Sequence, residues 1–255
     1  MGKKIKSALR SFTSCSGCQT ELLNMKEAFE ILTKFNFVFF PLIKGEKELD
    51  KYDICFVEGA ITNKDQIFEL KKIRKKSKLL VAFGTCATYG GIATISDFDD
   101  KKEIVEEVYG SGINKHSLKK VFGIGNWINV DYYMRGCPVI KTEVLEFAKG
   151  YFKEKLPNEH LYPVCVECRQ KGNRCLLAED HLPCMGAITY GGCKALCTSE
   201  EIPCQGCRGP LPTADVSARV KVFEKFGIKK EDIRRTFIKF AGTSKKYRRI
   251  IKNLK

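Results

Sequence analysis

The sequence predicts an α/β protein, with a parallel-sheet domain over residues 1–155 followed by a small cysteine-rich domain over residues 156–255. Three observations carry this reading. Through the first 150 residues, apolar strand-like runs alternate with amphipathic helical stretches, the pattern of a parallel sheet covered by helices. Glycines and cysteines fall just after the predicted strands or before the helices, in Cys15-Ser16-Gly17-Cys18, Gly84-Thr85-Cys86 and Arg135-Gly136-Cys137-Pro138. From Tyr162 to Arg208, eight cysteines stand among Gly and Pro with little sustained periodicity, so this stretch must be held together by bound metal.

Four strands are read in the first domain: Ile5–Phe12, Phe37–Ile43, Tyr52–Val57 and Leu79–Phe83, the last being the most buried. A helix over Thr20–Lys34 follows from Leu22, Met25, Phe29, Leu32 and Phe35 recurring at intervals of three and four. Another over Lys64–Lys76 carries Ile67, Leu70 and Ile73 on one face. Ile92–Asn114 reads as a loop-rich excursion with a short helix at Glu103–Tyr109. Val121–Ile124 is read as a last strand and Val139–Phe152 as a closing helix, with Leu145 and Phe147 or Ala148 facing inward. Beyond Pro212, helices over Ala214–Phe226 and Lys230–Phe240 are expected to pack back on the body.

A chain of 255 residues with 44% hydrophobic residues buries a real core. Met1–Lys6 is basic, but Ser7–Ser14 contains Arg10 and offers no apolar stretch, so no export signal is read and a cytoplasmic location is expected. No run approaches the roughly 18 apolar residues of a membrane span. Thirteen cysteines, an odd count, in a chain read as cytoplasmic point to metal ligation rather than disulfides. The net charge of +15 could mark a nucleic-acid binder. Lysines lie beside acids, however, as in Glu46–Lys51 and Lys101–Glu107, and only the tail from Lys245 to Lys255 is a basic block, read as an exposed helix or a subunit contact.

In an open parallel sheet, the carboxyl ends of the strands line the crevice where ligands bind. Cys15, Cys18 and Cys86 are therefore expected to converge there, with Cys137 placed to supply a fourth thiolate; four thiolates suit a cubane cluster. Gly17, Gly84, Gly90, Gly91 and Gly136 allow close backbone approach and free amides toward cluster sulfurs. A thioredoxin-like redox pair at Cys15 and Cys18, or tetrahedral zinc, uses the same residue types. Cys165-x2-Cys168-x6-Cys175-x8-Cys184 and Cys193-x3-Cys197-x6-Cys204-x2-Cys207 supply eight thiolates for two more clusters, with two zinc ribbons as the alternative. The membership of the eight is firmer than their division, because the last cysteine of such a run can ligate the neighbouring cluster. Cys55, in the apolar run Tyr52–Val57, reads as a core residue. Of His116, His160 and His181, only His181 is placed to replace a ligand.

Taken together, Cys15-x2-Cys18, the Gly84-Thr85-Cys86-Ala87-x2-Gly90-Gly91 segment and Arg135-Gly136-Cys137-Pro138 resemble the small subunit of nickel–iron hydrogenases. Cys184-Met185-Gly186-Ala187-Ile188-Thr189-Tyr190-Gly191-Gly192-Cys193 and Pro203-Cys204-Gln205-Gly206-Cys207 are similar to that family's distal-to-medial segment and closing medial pair. The resemblance implies a flavodoxin-like first domain and three 4Fe-4S clusters: proximal on Cys15, Cys18, Cys86 and Cys137, distal on Cys165, Cys168, Cys175 and Cys184, medial on Cys193, Cys197, Cys204 and Cys207. It implies an oxidoreductase subunit without catalytic residues of its own. Its partners would be a large subunit that splits hydrogen and a flavin or iron–sulfur electron-transfer subunit, with no nucleic acid and no membrane span. Cys165 stands where the periplasmic uptake enzymes usually have a histidine, and Cys197 offers a medial thiolate they lack, which resembles the cytoplasmic branch of sulfhydrogenase delta and viologen- or deazaflavin-linked archaeal subunits. Glu21 lies three residues after Cys18 where uptake enzymes place a glutamate two residues after, so a gating role is not carried over. The cluster-bearing subunit of respiratory complex I, with adjacent cysteines in place of Cys15-x2-Cys18, is the second resemblance; a zinc-stabilised nucleic-acid-binding protein is the reading from another class.

Overall fold

The computed structural model describes residues 5–45, 51–110 and 117–254; Met1–Lys4, Glu46–Asp50 and His116 lie outside them. Contacts divide the chain into one unit over Met1–Pro157 and another over Asn158–Lys255.

In the first unit the chain runs β1 (Ser7–Ser11), α1 (Gly17–Leu23), α2 (Ala28–Phe35), β2 (Phe37–Phe39), β3 (Tyr52–Glu58), β4 (Ile61–Asn63), α3 (Lys64–Lys76), β5 (Ser77–Phe83), α4 (Thr85–Tyr89), α5 (Lys101–Tyr109), β6 (Ser117–Phe122), β7 (Tyr132–Met134) and α6 (Lys141–Phe152). The main sheet has the order β2-β1-β3-β5-β7, and every pair in it is parallel. Counted along the chain this is the 2-1-3-4-5 order of a flavodoxin-like sheet, which reverses direction between β1 and β3.

Side-chain alternation makes the sheet two-faced. Ile54 and Phe56 of β3 join one core with Leu22, Phe35, Val144 and Phe147 from α1, α2 and α6. Cys55 and Val57 join the other, with Leu70, Ile73 and Ala87 from α3 and α4. Cys55 is fully buried there, and burial pushes its thiol up to about 12.

Two expectations need correction, and one strand was not foreseen. The helix read over Thr20–Lys34 is two helices, broken between Leu23 and Ala28; the break shifts the helical phase, so Ala28, Ile31 and Phe35 face the core while Phe29 is 82% exposed. Val121–Ile124 is not the last strand of the sheet: β6 ends at Phe122 and pairs antiparallel with β4 in a separate ribbon. The fifth sheet strand is β7, hidden in the sequence by its polar approach. Asp131 accepts from the Leu80 amide (2.7 Å) and from Arg74 (2.5 Å), so an aspartate extends the ladder where an apolar residue would be sought.

The second unit contains α7 (Val164–Gln170), α8 (Leu176–Asp180), α9 (Leu196–Ser199), α10 (Val216–Lys225), α11 (Lys230–Ile238) and α12 (Lys245–Asn253). The basic tail forms α12, which Ser244 caps and which buries Tyr247, Ile250 and Ile251. Tyr247 packs edge-on to Phe237 (4.9 Å), and Phe237 onto Phe223 (6.5 Å). The three C-terminal helices thus share an apolar centre.

Phe147, 1% exposed, packs edge-on to Phe56 at 5.8 Å and against Tyr132 at 4.9 Å. Phe147→Ala is expected to destabilise the first unit by about 3–5 kcal/mol, and Phe29→Ala by less than about 0.5 kcal/mol. Denaturant unfolding followed by the fluorescence of Trp127, the single tryptophan, measures both.

Candidate metal centre

The first cysteine set is built at the carboxyl ends of the sheet strands. After β1 the chain reaches Cys15, passes through Ser16 in the left-handed region (φ 60°) and opens α1, which places Cys18 in its first turn. Gly84 ends β5 with φ 89° and starts α4, which carries Cys86. Cys137 follows β7. The Gly84 amide donates to Met134 O (2.8 Å) and the Thr85 amide to Gly136 O (2.9 Å), tying the two loops together.

The four thiols share one electrostatic neighbourhood. Cys18 is pushed far above the ordinary thiol range, first by burial, then by Glu58, with Cys137 and Cys86 adding smaller repulsions. Cys86 is pushed up to about 12 by burial, then by Cys137, Cys15 and Glu58. Cys137 is raised by burial, then by Cys15 and Glu58. Metal ligation needs thiolates, and several thiolates beside a carboxylate need positive charge among them; an iron–sulfur cluster provides it. The glycines fit the same purpose. A Cβ on Gly84 would lie 2.4 Å from Cys18 Sγ, and one on Gly91 2.6 Å from Cys86 Sγ. Among the described residues, no three Cys, His, Asp or Glu side chains are gathered tightly enough to clasp a single ion. A cubane takes one thiolate per iron corner and so tolerates a wider set than tetrahedral zinc.

Glu58 was not anticipated from the sequence. It ends β3, is 2% exposed, and accepts from the Cys18 amide (3.1 Å) and Gln19 Nε2 (2.6 Å). It therefore satisfies an N–H of the first turn of α1 and fixes Cys18. An acid closing an apolar strand immediately before Gly59 was the available signal. Glu21 instead pairs with Lys141 of α6 (3.4 Å).

In the second unit, α7 carries Cys165 and Cys168, Cys175 precedes α8 and Cys184 follows it. Burial, then Cys184, push the Cys165 thiol up to about 11; Arg219 lowers it, and Cys168 and Cys175 add to the rise. A Cβ on Gly186 would lie 3.2 Å from Cys165 Sγ and 3.7 Å from Cys184 Sγ. Cys204 is raised by burial, then by Cys184, with Cys207 and Cys193 adding less and Gly206 opposing. Cys197 is raised by burial and then by Cys184. Cys184 thus stands between the two expected quartets, and its sulfur accepts from the Cys204 amide (3.3 Å). His181 turns its ring to Phe226 (5.6 Å), and His160 Nδ1 meets Tyr162 Oη (3.2 Å).

Glu167, between Cys165 and Cys168, was also missed. It is 8% exposed and accepts from Tyr162 Oη (3.2 Å), Gly192 N (2.6 Å) and Ala195 N (3.1 Å). Lys194 and Ala195 both adopt left-handed conformations (φ 53° and 51°), each costing about 1–3 kcal/mol. The Glu167 carboxylate holds this strained turn, which follows Cys193.

Gly84→Ala is expected to remove about four iron atoms per chain from the anaerobically purified protein. Gly45→Ala, where an added Cβ meets nothing within 4 Å, is expected to leave the iron content unchanged.

Comparison with known proteins agrees with this chemistry. The family described as NADH ubiquinone oxidoreductase, 20 Kd subunit, matches residues 15–150. Sulfhydrogenase 2 subunit delta of Pyrococcus furiosus is 31% identical over 238 residues, covering 93% of this chain and 99% of that protein. A subunit of the vhu F420-non-reducing hydrogenase of Methanocaldococcus jannaschii is 32% identical over 240 residues, covering 80% of this chain and 82% of that protein. Among solved structures, an H2-reduced NAD+-reducing [NiFe]-hydrogenase superposes with a TM-score of 0.55 at 23% identity over 61% of this chain and 95% of that one. A reduced, active Ni-Fe-Se hydrogenase from Desulfomicrobium baculatum gives 0.55 at 18% identity over 87% and 99%. At those identities the structures speak for the fold alone, whereas the sequence relatives match along most of their length. With its flavodoxin-like sheet and its cysteines at the strand ends, the chain belongs to the family of nickel–iron hydrogenase small subunits and is an oxidoreductase subunit of the electron-transfer type.

Proposed function

We propose that this subunit holds three 4Fe-4S clusters: proximal on Cys15, Cys18, Cys86 and Cys137, medial on Cys193, Cys197, Cys204 and Cys207, and distal on Cys165, Cys168, Cys175 and Cys184. Such clusters accept and release single electrons when bound. The subunit would relay electrons between a hydrogen-splitting nickel–iron site in a separate large subunit and a flavin or iron–sulfur partner, in the cytoplasm. The observation that carries this reading is the gathering of four thiols and the Glu58 carboxylate around glycines at the reversal point of the sheet.

The chain's own part is to hold, orient and shield. Glu58 fixes the first turn of α1 and Glu167 fixes the turn after Cys193. Gly84, Gly91 and Gly186 keep the space beside Cys18, Cys86 and Cys165 free of side chains. Among the described residues no two cysteines are joined in a disulfide, which leaves their sulfurs available as ligands. Among the described residues, no helix is long and apolar enough to cross a membrane. Neither the complex I-like reading nor the zinc-stabilised nucleic-acid binder is favoured: the family matched over residues 15–150 carries a complex I description, but the relatives matched along most of their length are named as hydrogenase subunits.

The test is metal and sulfide analysis of the anaerobically purified complex with its large subunit, followed by exposure to hydrogen. About twelve iron atoms and as many acid-labile sulfides per chain are expected, with the clusters reduced by hydrogen. Zinc without sulfide, or clusters that hydrogen leaves oxidised, would overturn the proposal.

A further inference from the structure

Arg219 is a half-buried cation without an anion of its own among the described residues. Asp215 caps α10 by accepting from the Ala218 amide (2.9 Å), which places Arg219 in the first turn. Its guanidinium lies over the Phe223 ring (4.6 Å) and donates through Nη2 to the carbonyl oxygen of Cys184. Its Nε is buried and has no hydrogen-bond partner, and among the described residues no carboxylate pairs with the side chain.

Burying a guanidinium without a counter-charge costs several kcal/mol. Desolvation is indeed the largest influence on it and lowers its pKa, while the charges that oppose this lowering belong to Cys184, Cys165, Cys175 and Cys204. Three of these four are the proposed distal ligands. Thiolates around a cluster would supply both the missing anion and an acceptor for the orphaned N–H. The medial side is built differently: at Cys193 the leading charge is the Glu167 carboxylate, with the buried Arg208 opposing it.

On the cluster assignment above, we propose that Arg219 tunes the distal cluster, donating from Nε to one of its sulfurs and stabilising its reduced state so that electrons are drawn to that end. Positive charge and an added N–H donor both favour the more negative, reduced form.

The experiment is an EPR-monitored redox titration of the anaerobic complex carrying Arg219→Gln or Arg219→Lys, with iron per chain measured first. Arg219→Gln is expected to make reduction of one cluster about tenfold less favourable, a downward shift of about 59 mV for a one-electron couple, with the other two unmoved. Arg219→Lys keeps the charge but not the Nε donor, and is expected to shift the same cluster by less. In protein labelled with ¹⁵N-arginine, pulsed EPR of that reduced cluster should show a nitrogen coupling that Arg219→Lys removes. Should Arg219→Gln lose cluster iron, the lysine variant decides: an unmoved midpoint with an unchanged coupling overturns the proposal, as do equal shifts of all three clusters. Wild-type protein with far fewer than about twelve iron atoms would instead overturn the cluster assignment itself, and this proposal with it.

Discussion

At the ends of β1, β5 and β7, burial, mutual repulsion and the neighbouring Glu58 raise the Cys18, Cys86 and Cys137 thiols, so that ionising them together calls for positive charge among them. Much of the first unit can be understood as the scaffold for that requirement. The sheet reverses its winding between β1 and β3, which opens a crevice at their carboxyl ends. Cys15 and Cys18 leave β1 on one side of it and Glu58 closes β3 on the other. Gly84 bends the chain out of β5 with a positive φ, and its missing Cβ leaves Cys18 Sγ its space.

The second unit meets the same constraint with shorter elements. Between Tyr162 and Arg208 the helices are short, from three to seven residues, and two adjacent non-glycine residues are left-handed. Such a segment needs cross-links, and the polar ones on view are specific. Glu167 joins α7 to the turn after Cys193, while Arg219 joins α10 to Cys184. The helices α10, α11 and α12 supply the packed body on which the arginine is mounted.

Much of this was legible in the residues. α3 runs from Lys64 to Lys76 as its apolar spacing indicated, and Cys55 lies in the core as its apolar neighbours suggested. What escaped the reading was long-range polar pairing. Strand β7 is three residues long, and its approach depends on Asp131 meeting Leu80 and Arg74. The break between α1 and α2 leaves Phe29 in solvent although its spacing fitted a continuous helix. Glu58, Glu167 and Arg219 each act on a residue between 25 and 40 positions away, and periodicity carries no trace of such a partner.

In the proposed arrangement twelve of the thirteen cysteines form three quartets, each around its own iron centre. Anomalous diffraction at the iron edge, on anaerobic crystals of the complex, locates those centres directly. Three peaks from this subunit are expected, one inside each quartet, with Cys55 apart from all of them. Fewer peaks, or Cys184 bound to the same centre as Cys193 and Cys204, would contradict the arrangement.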